Sequence, residues 1–154
     1  MEKVHRALYD SPIGCVEIQG TEQGILSVDF LDTPCKASSD IPDCLTSCVR
    51  QIAEYFKGTR REFTLDLVLQ GTAFQRRVWG ALRRIPYGQT ASYRDIARAI
   101  GNEKAVRAVG NANGRNRIPI IIPCHRVIGS SGDLVGFASG LWRKEWLLNH
   151  EKGA

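Results

Sequence analysis

The hydrophobic pattern of this chain changes period near residue 70, and no other feature constrains the fold as much. Before the change, apolar residues fall in short extended runs. Val4–Tyr9 and Ile13–Gln19 flank a Ser11-Pro12 turn, and Gly24–Leu31 follows the turn Gly20-Thr21-Glu22-Gln23. That spacing predicts a short antiparallel meander. A loop rich in Ser, Pro and Ala, residues 32–40, comes next. Leu45, Cys48, Val49, Ile52, Tyr55 and Phe56 then share one face of a helix, with Pro42 in its first turn and Gly58 at its C-terminal cap. Phe63–Leu69 reads as extended, and Gln70-Gly71-Thr72 marks a domain boundary.

After the boundary the period is helical. Thr72 can cap a helix in which Phe74, Val78 and Leu82 share a face, and Pro86-Tyr87-Gly88 breaks it. Ser92 followed by Asp95 is a capping pattern before Ile96, Ala97 and Ile100. Gly101 ends that helix, and Asn102 can cap the next, where Ala105, Val106 and Val109 pack. Two short helices joined by a tight turn containing Gly form a helix-turn-helix pattern. Arg143–Glu151 reads as a final helix carrying Trp146, Leu147 and His150.

With 154 residues, 43% of them hydrophobic, the chain is long enough for one domain or two small ones. Its net charge of +5 suits a polyanionic partner such as DNA without requiring one. No apolar run approaches the roughly 20 residues of a membrane helix. The longest, Ile118–Pro123, has the length of a buried strand. The five cysteines are an odd count, and the first ten residues lack a signal-peptide core. Reduced thiols in a cytosolic setting are therefore expected.

Chemistry concentrates in Ile118-Pro-Ile-Ile-Ile-Pro-Cys-His-Arg-Val127, where Pro119 and Pro123 bracket an apolar run ending at Cys124. A thiol must lose its proton to attack, and a neighbouring imidazole or positive charge lowers its pKa. His125 and Arg126 follow directly. In a strand, adjacent side chains point to opposite faces, so His125 would reach Cys124 only through a turn or a water. By themselves the residues fit a buried Cys beside a surface His better, because a Cys-His dipeptide is a weak signal. Cys44 and Cys48 stand one helical turn apart, as metal ligands do, with His5 the nearby candidate in the first part. A full ligand set is not evident, so core packing is expected for both. Glu151 reads as a solvated charge, Arg107 as either a surface charge or a functional one, and Trp142 and Trp146 as core.

Taken together, these segments resemble the O6-alkylguanine-DNA alkyltransferases, or methylated-DNA–protein-cysteine methyltransferases. Pro123-Cys124-His125-Arg126-Val127 matches that family's active-site motif. Arg107-Ala108-Val109-Gly110, Asn116 and Pro119 precede it at the expected spacing, and Gly136-Phe137 and Lys144-Glu145-Trp146-Leu147-Leu148 follow. Upstream, Phe74-Gln75, Val78-Trp79, Ile85-Pro86-Tyr87-Gly88 and Ser92-Tyr93 fit as well. The match is close to continuous from Gly71 to Glu151, and looser before that, through Ser11-Pro12-Ile13-Gly14.

The resemblance implies an α/β N-terminal domain over 1–70, an antiparallel sheet plus helix of ribonuclease H-like type. A mainly α C-terminal domain over 71–154, with a helix-turn-helix, would carry the active site. It implies an irreversible, single-turnover transfer of an alkyl group from O6-alkylguanine, or O4-alkylthymine, in DNA to Cys124. His125 would take the thiol proton through a water, and Glu151 would orient His125. Asn116 would brace the turn, and Tyr93 would stabilise or protonate the departing guanine. Arg107 would fill the gap left by a flipped nucleotide, and Ala105 would let its helix sit close in the minor groove. Arg94, Asn102 and Ser130 would contact the DNA. Pro119, Val127, Gly136, Phe137 and Ser139 would shape the base pocket. No cofactor and no metal are implied, since the zinc ligands of some relatives have no clear set here. The partner would be double-stranded DNA, bound by a monomer that is cytoplasmic and nucleoid-associated, or nuclear in a eukaryote. Phe137 stands where relatives usually have Tyr, and Ser139 where Gly is common, which would narrow the pocket. A non-enzymatic alkyltransferase-like protein is the nearest alternative, but such proteins lack the acceptor cysteine. A sequence-specific helix-turn-helix regulator and a Cys–His hydrolase are further ones.

Overall fold

The computed structural model describes residues 2–153. The chain forms two compact units that divide between Leu69 and Gln70.

The first unit is a three-stranded antiparallel sheet in the order β1 (His5–Ser11), β2 (Gly14–Thr21), β3 (Gly24–Leu31), with helix α1 (Asp43–Phe56) packed on it. The first hairpin closes because the Ser11 hydroxyl donates to the Gly14 carbonyl at 2.6 Å and accepts from the Ile13 amide at 3.2 Å. Leu45, Cys48, Ile52 and Tyr55 from α1 are buried, as are Ala7, Val16, Ile18, Ile25 and Val28 from the sheet. Each fully buried aliphatic side chain contributes about 1.5–3 kcal/mol, so the helix adheres by its apolar stripe rather than by intrinsic propensity. The 63–69 segment makes one parallel bridge, Leu67 to Ile25, with Ile25 N–H donating to Asp66 O and Val68 N–H to Ile25 O. Gly24 makes that approach possible: its φ is +155°, and a Cβ there would lie 2.6 Å from the Asp66 carbonyl oxygen.

Two expectations about the cysteines need correction. Cys15 and Cys35 form a disulfide, so only three of the five are thiols. Segment 32–40 is held to the edge strand β1 by Ser38, whose amide donates to Leu8 O and whose hydroxyl accepts from Leu8 N–H, both near 2.8–2.9 Å. That edge docking brings Cys35 to Cys15, a local geometry to which an argument from cellular redox state is blind. Cys48 is a core residue, but Cys44 is half-buried near the start of α1 and does not belong to the core.

The second unit contains α2 (Ala73–Leu82), β4 (Ala91–Ser92), α3 (Tyr93–Ala99), α4 (Val106–Gly114), a single 3-10 turn (Cys124–Arg126), β5 (Val127–Ile128) and α5 (Leu141–Glu151). Thr72 and Ser92 each open a helix with a reciprocal capping box, to Gln75 and Asp95. The Trp79 indole N–H donates to Ala112 O at 2.8 Å and ties α2 to α4. Gly101, at φ +78°, ends the α3 segment. Asn102 is a turn residue and not the cap of the next helix: its carbonyl accepts from Ala105 N–H, and Ala105 holds the cap position. β4 and β5 pair in parallel through Ala91–Val127 and Ser92–Ile128. No helix among the described residues is long and apolar enough to cross a membrane.

The Ile118–Pro123 run is not a strand. It is a series of turns in which Ile122 N–H donates to Ile118 O and Cys124 N–H to Ile122 O. Asn116 explains why: its side-chain oxygen accepts from Ile118 N–H at 2.9 Å, and its Nδ2 donates to Ile122 O at 2.8 Å. The side chain consumes the backbone groups a strand would use. Within this bracket Ile120 has φ +74°, a conformation that a β-branched residue adopts only under strain of about 1–3 kcal/mol.

Candidate active site

Cys124 emerges from that bracketed turn into the 3-10 turn Cys124–Arg126, which replaces the expected alternation of faces. Its side chain lines a cavity of about 30 Å³, enough for a water, shared with Asn113, Gly114, Asn116, Pro119, Gly136, Phe137, Ala138 and Ser139. Burial pushes the Cys124 thiol up to about 11, against a hydrogen bond from Asn116 and the charge of Lys144, which act to lower it. At neutral pH the resting group is therefore a thiol, and attack requires a proton acceptor.

A candidate acceptor follows Cys124 in the chain. His125 is fully buried and its Nε2 lies 2.6 Å from Glu151 Oε2. A carboxylate there fixes the Nε2–H tautomer, which leaves Nδ1 with the lone pair. Nδ1 is buried and has no hydrogen-bond partner among the described residues. Burial lowers the pKa of His125 and the charges of Arg126 and Lys144 lower it further, against the hydrogen bond and charge of Glu151. The imidazole is thus neutral and able to receive a proton.

Glu151 is buried in the last turn of α5, and the reading of it as a solvated charge is overturned. Burial raises its pKa, but hydrogen bonds and charge from His125 and Arg126 outweigh burial and hold it well below the usual carboxylate range. It also accepts from Gly88 N–H at 3.2 Å. Gly88 has φ +80°, and a Cβ there would come within 3.1 Å of the Glu151 carbonyl oxygen, so the breaker Pro86-Tyr87-Gly88 doubles as part of the carboxylate's seat.

Of the three buried Lys and Arg side chains among the described residues, Arg126 and Lys144 act on His125, and sequence reasoning misses both. Arg126 faces Glu151, not the thiol. Lys144 is fully buried, and its Nζ donates to Val135 O at 2.9 Å and Gly136 O at 3.2 Å. One signal was available: Lys144, Leu147, Leu148 and Glu151 follow the i, i+3, i+4, i+7 spacing of the buried stripe of α5, so both charges stand at core positions. The Tyr93 hydroxyl, on the first residue of α3, donates to the same Val135 carbonyl at 3.0 Å. Burial raises its pKa, helped by the nearby Cys124.

Of the pocket residues expected from the sequence, Pro119, Gly136, Phe137 and Ser139 line the cavity, whereas Val127 does not: it is buried in β5. Arg94, Asn102, Arg107 and Ser130 are exposed, and Ala105 is half-buried at the head of α4. Trp142 is not core: it is 57% exposed, and the Arg143 guanidinium lies 4.5 Å from its ring centroid. Trp146 is half-buried and stacks on His150 at 4.8 Å. Among the described residues one grouping offers metal-ligand atoms, His5, Glu22 and Cys44 in the first unit, within 4.8 Å of one another.

A buried thiol beside a neutral imidazole is the equipment of a protein whose own cysteine is the nucleophile, here set among short helices of which two join through a tight glycine turn. Comparison with known proteins takes the assignment further. Residues 73–153 match the 6-O-methylguanine DNA methyltransferase DNA binding domain, and residues 4–69 match the ribonuclease-like domain of the same family. The chain belongs to the 6-O-methylguanine DNA methyltransferase family. It is 46% identical to the methylated-DNA–protein-cysteine methyltransferase of Methanosarcina acetivorans, over 96% of this chain and 98% of that protein. It is similar to the crystal structure of Mycobacterium tuberculosis O6-methylguanine methyltransferase, with 45% identity, a TM-score of 0.88, and coverage of 98% of this chain and 94% of that one. The Mycobacterium tuberculosis protein in complex with DNA gives 46% identity and a TM-score of 0.85, over 95% and 91% of the two chains.

Proposed function

We propose that this protein repairs DNA by direct reversal, transferring the alkyl group of an O6-alkylguanine to its own Cys124 once and irreversibly. The observation that carries the proposal is the buried His125–Glu151 pair directly after Cys124 in the chain, with the sulfur at the cavity and the carboxylate fixing the imidazole. The thiol proton passes to His125 Nδ1 through a water. The sulfur attacks the alkyl carbon, the S–C bond forms as the O6–C bond breaks, and guanine leaves with its electron pair. Tyr93, hydrogen-bonded to the Val135 carbonyl one residue before the cavity-lining Gly136, supplies a proton or hydrogen bond to the leaving base. The product is a thioether, which water does not cleave, so no residue can regenerate the thiol.

The DNA reading draws on the exposed face. A base atom inside a duplex is out of reach, and extruding the nucleotide costs a few kcal/mol. Arg107, exposed on α4, fills the vacated stack, and Ala105 at the head of that helix lets it approach the minor groove. Helices α3 and α4 with the Gly101 turn act as the helix-turn-helix. Arg94, Asn102 and Ser130 add sequence-independent contacts, consistent with damage that falls anywhere. The protein works as a monomer on duplex DNA in the cytoplasm, at the nucleoid, or in the nucleus of a eukaryote. The retained Cys124 is the feature that sets it apart from a damage-binding protein without transfer. Incubation with a duplex carrying one O6-methylguanine, followed by peptide mass mapping, tests the proposal: one methyl group on Cys124 is expected, and an unmodified Cys124 would reject it.

A further inference from the structure

Two buried charges of the site, Lys144 and Arg126, have no part in the transfer as described, and Arg126 is the one bonded to the carboxylate. Arg126 is 6% exposed. Its Nε donates to Glu151 Oε1 at 2.7 Å, its Nη2 to Oε2 at 3.0 Å and its Nη1 to Ile85 O at 2.7 Å. Glu151 Oε2 is the oxygen that also meets His125 Nε2. One carboxylate is therefore shared between a permanently charged planar fork and the imidazole.

The sharing matters because the two demands on Glu151 conflict. A carboxylate facing His125 by itself would orient the ring and also draw a proton onto it, and an imidazolium cannot take the thiol proton. A carboxylate already paired on both oxygens with a guanidinium still accepts the Nε2–H bond, but its charge is largely satisfied. We propose that Arg126 is a positioning residue for the transfer: by occupying both oxygens of Glu151 it lets that carboxylate orient His125 while leaving the imidazole in its neutral, proton-accepting form. It acts through Glu151 and does not line the cavity. The inference rests on the reading of His125 as the base for Cys124. The charged groups acting on His125 are Glu151 and Lys144 from α5 and Arg126 from its own turn. Lys144 pushes in the same direction as Arg126, so loss of Arg126 weakens the effect without abolishing it.

The test is the rate of alkyl transfer from a free O6-alkylguanine base across a pH range that brackets the His125 midpoint, with the state of His125 followed by nitrogen NMR, for wild type, Arg126→Lys, Arg126→Met and the double variant Arg126→Met/Glu151→Gln. The double variant removes both charges and so remains testable where Arg126→Met folds poorly. In Arg126→Met the protonation midpoint of His125 and the acid limb of the rate profile should move up together by about one pH unit. At pH values below the wild-type midpoint the rate should then fall about tenfold, and the deficit should vanish well above both midpoints. Arg126→Lys should shift in the same direction by less, because it keeps the charge and loses the fork. The double variant should show no upward shift, since the carboxylate that would charge His125 is gone. Rates lowered by one factor at every pH, with an unmoved His125 midpoint, would overturn the proposal and leave Arg126 a purely structural residue. Wild-type alkylation at a residue other than Cys124 would instead overturn the reading beneath it.

Discussion

At the scale of single residues, burial pushes the two candidate catalytic groups in opposite directions. The thiol of Cys124 is raised to about 11, and the imidazole of His125 is lowered below its ordinary value. The sign of the pH response follows. Wild-type transfer should fall in acid as His125 gains its proton and be flat above about 6.5, the ordinary His value. In His125→Ala no base remains, so the rate should follow the thiolate fraction and climb with pH towards the thiol's own midpoint. At neutral pH the loss should be about 10²–10⁴-fold, the usual scale for a general base. Stopped transfer measured against pH for both proteins checks this, and parallel profiles would remove His125 as the base. Asn116 carries a different load. Asn116→Ala deletes both bonds that bracket the strained Ile120 turn and the hydrogen bond to the thiol. Denaturant unfolding should show a cost of about 2–4 kcal/mol, from two lost hydrogen bonds and the unpaired groups they leave. Transfer should slow as well, and an unchanged stability would show that the turn holds itself.

At the scale of elements, legibility in the sequence follows how local each cause is. The capping boxes at Thr72 and Ser92 rest on residues three apart, and the α1 stripe on a single helix, so both could be read directly. Ile118–Pro123 could not. Its β-branched residues favour a strand, but one side chain outside the run, Asn116, takes the backbone groups at both ends. Asn102 failed similarly as a cap, because the chain makes one further turn before α4 begins at Val106. Arg126, Lys144 and Glu151 look like surface charges by type; their burial is set by pairings across 8 to 25 residues of sequence. The resemblance to a family supplied the expectation for Glu151 and was silent on the other two. For α4 the decisive measurement compares two substrates. Arg107→Ala should depress repair of duplex lesions far more than reaction with free O6-alkylguanine, which needs no flipping. Equal losses would assign Arg107 another role.

At the scale of the molecule, the two units are stabilised by different means. The first closes the Cys15–Cys35 disulfide over a sequence separation of 20, while the second pairs buried Glu151 with His125 and Arg126. Cross-linking a loop of that length should contribute about 3 kcal/mol by restricting the unfolded chain. Cys35→Ser should therefore lower the stability of the first unit by that order under non-reducing conditions and make no difference in reductant. Calorimetry with and without a thiol reductant resolves the two cases. The account as a whole stands on Cys124 being the terminal acceptor. Its most direct test is to offer the protein an excess of duplex containing O6-methylguanine and to follow, by intact-mass and peptide mass spectrometry, how many methyl groups each molecule acquires and where. The expected result is one methyl group per molecule, on Cys124, followed by a complete stop with lesions remaining. Continued turnover, or a methyl group on any other residue, would contradict it.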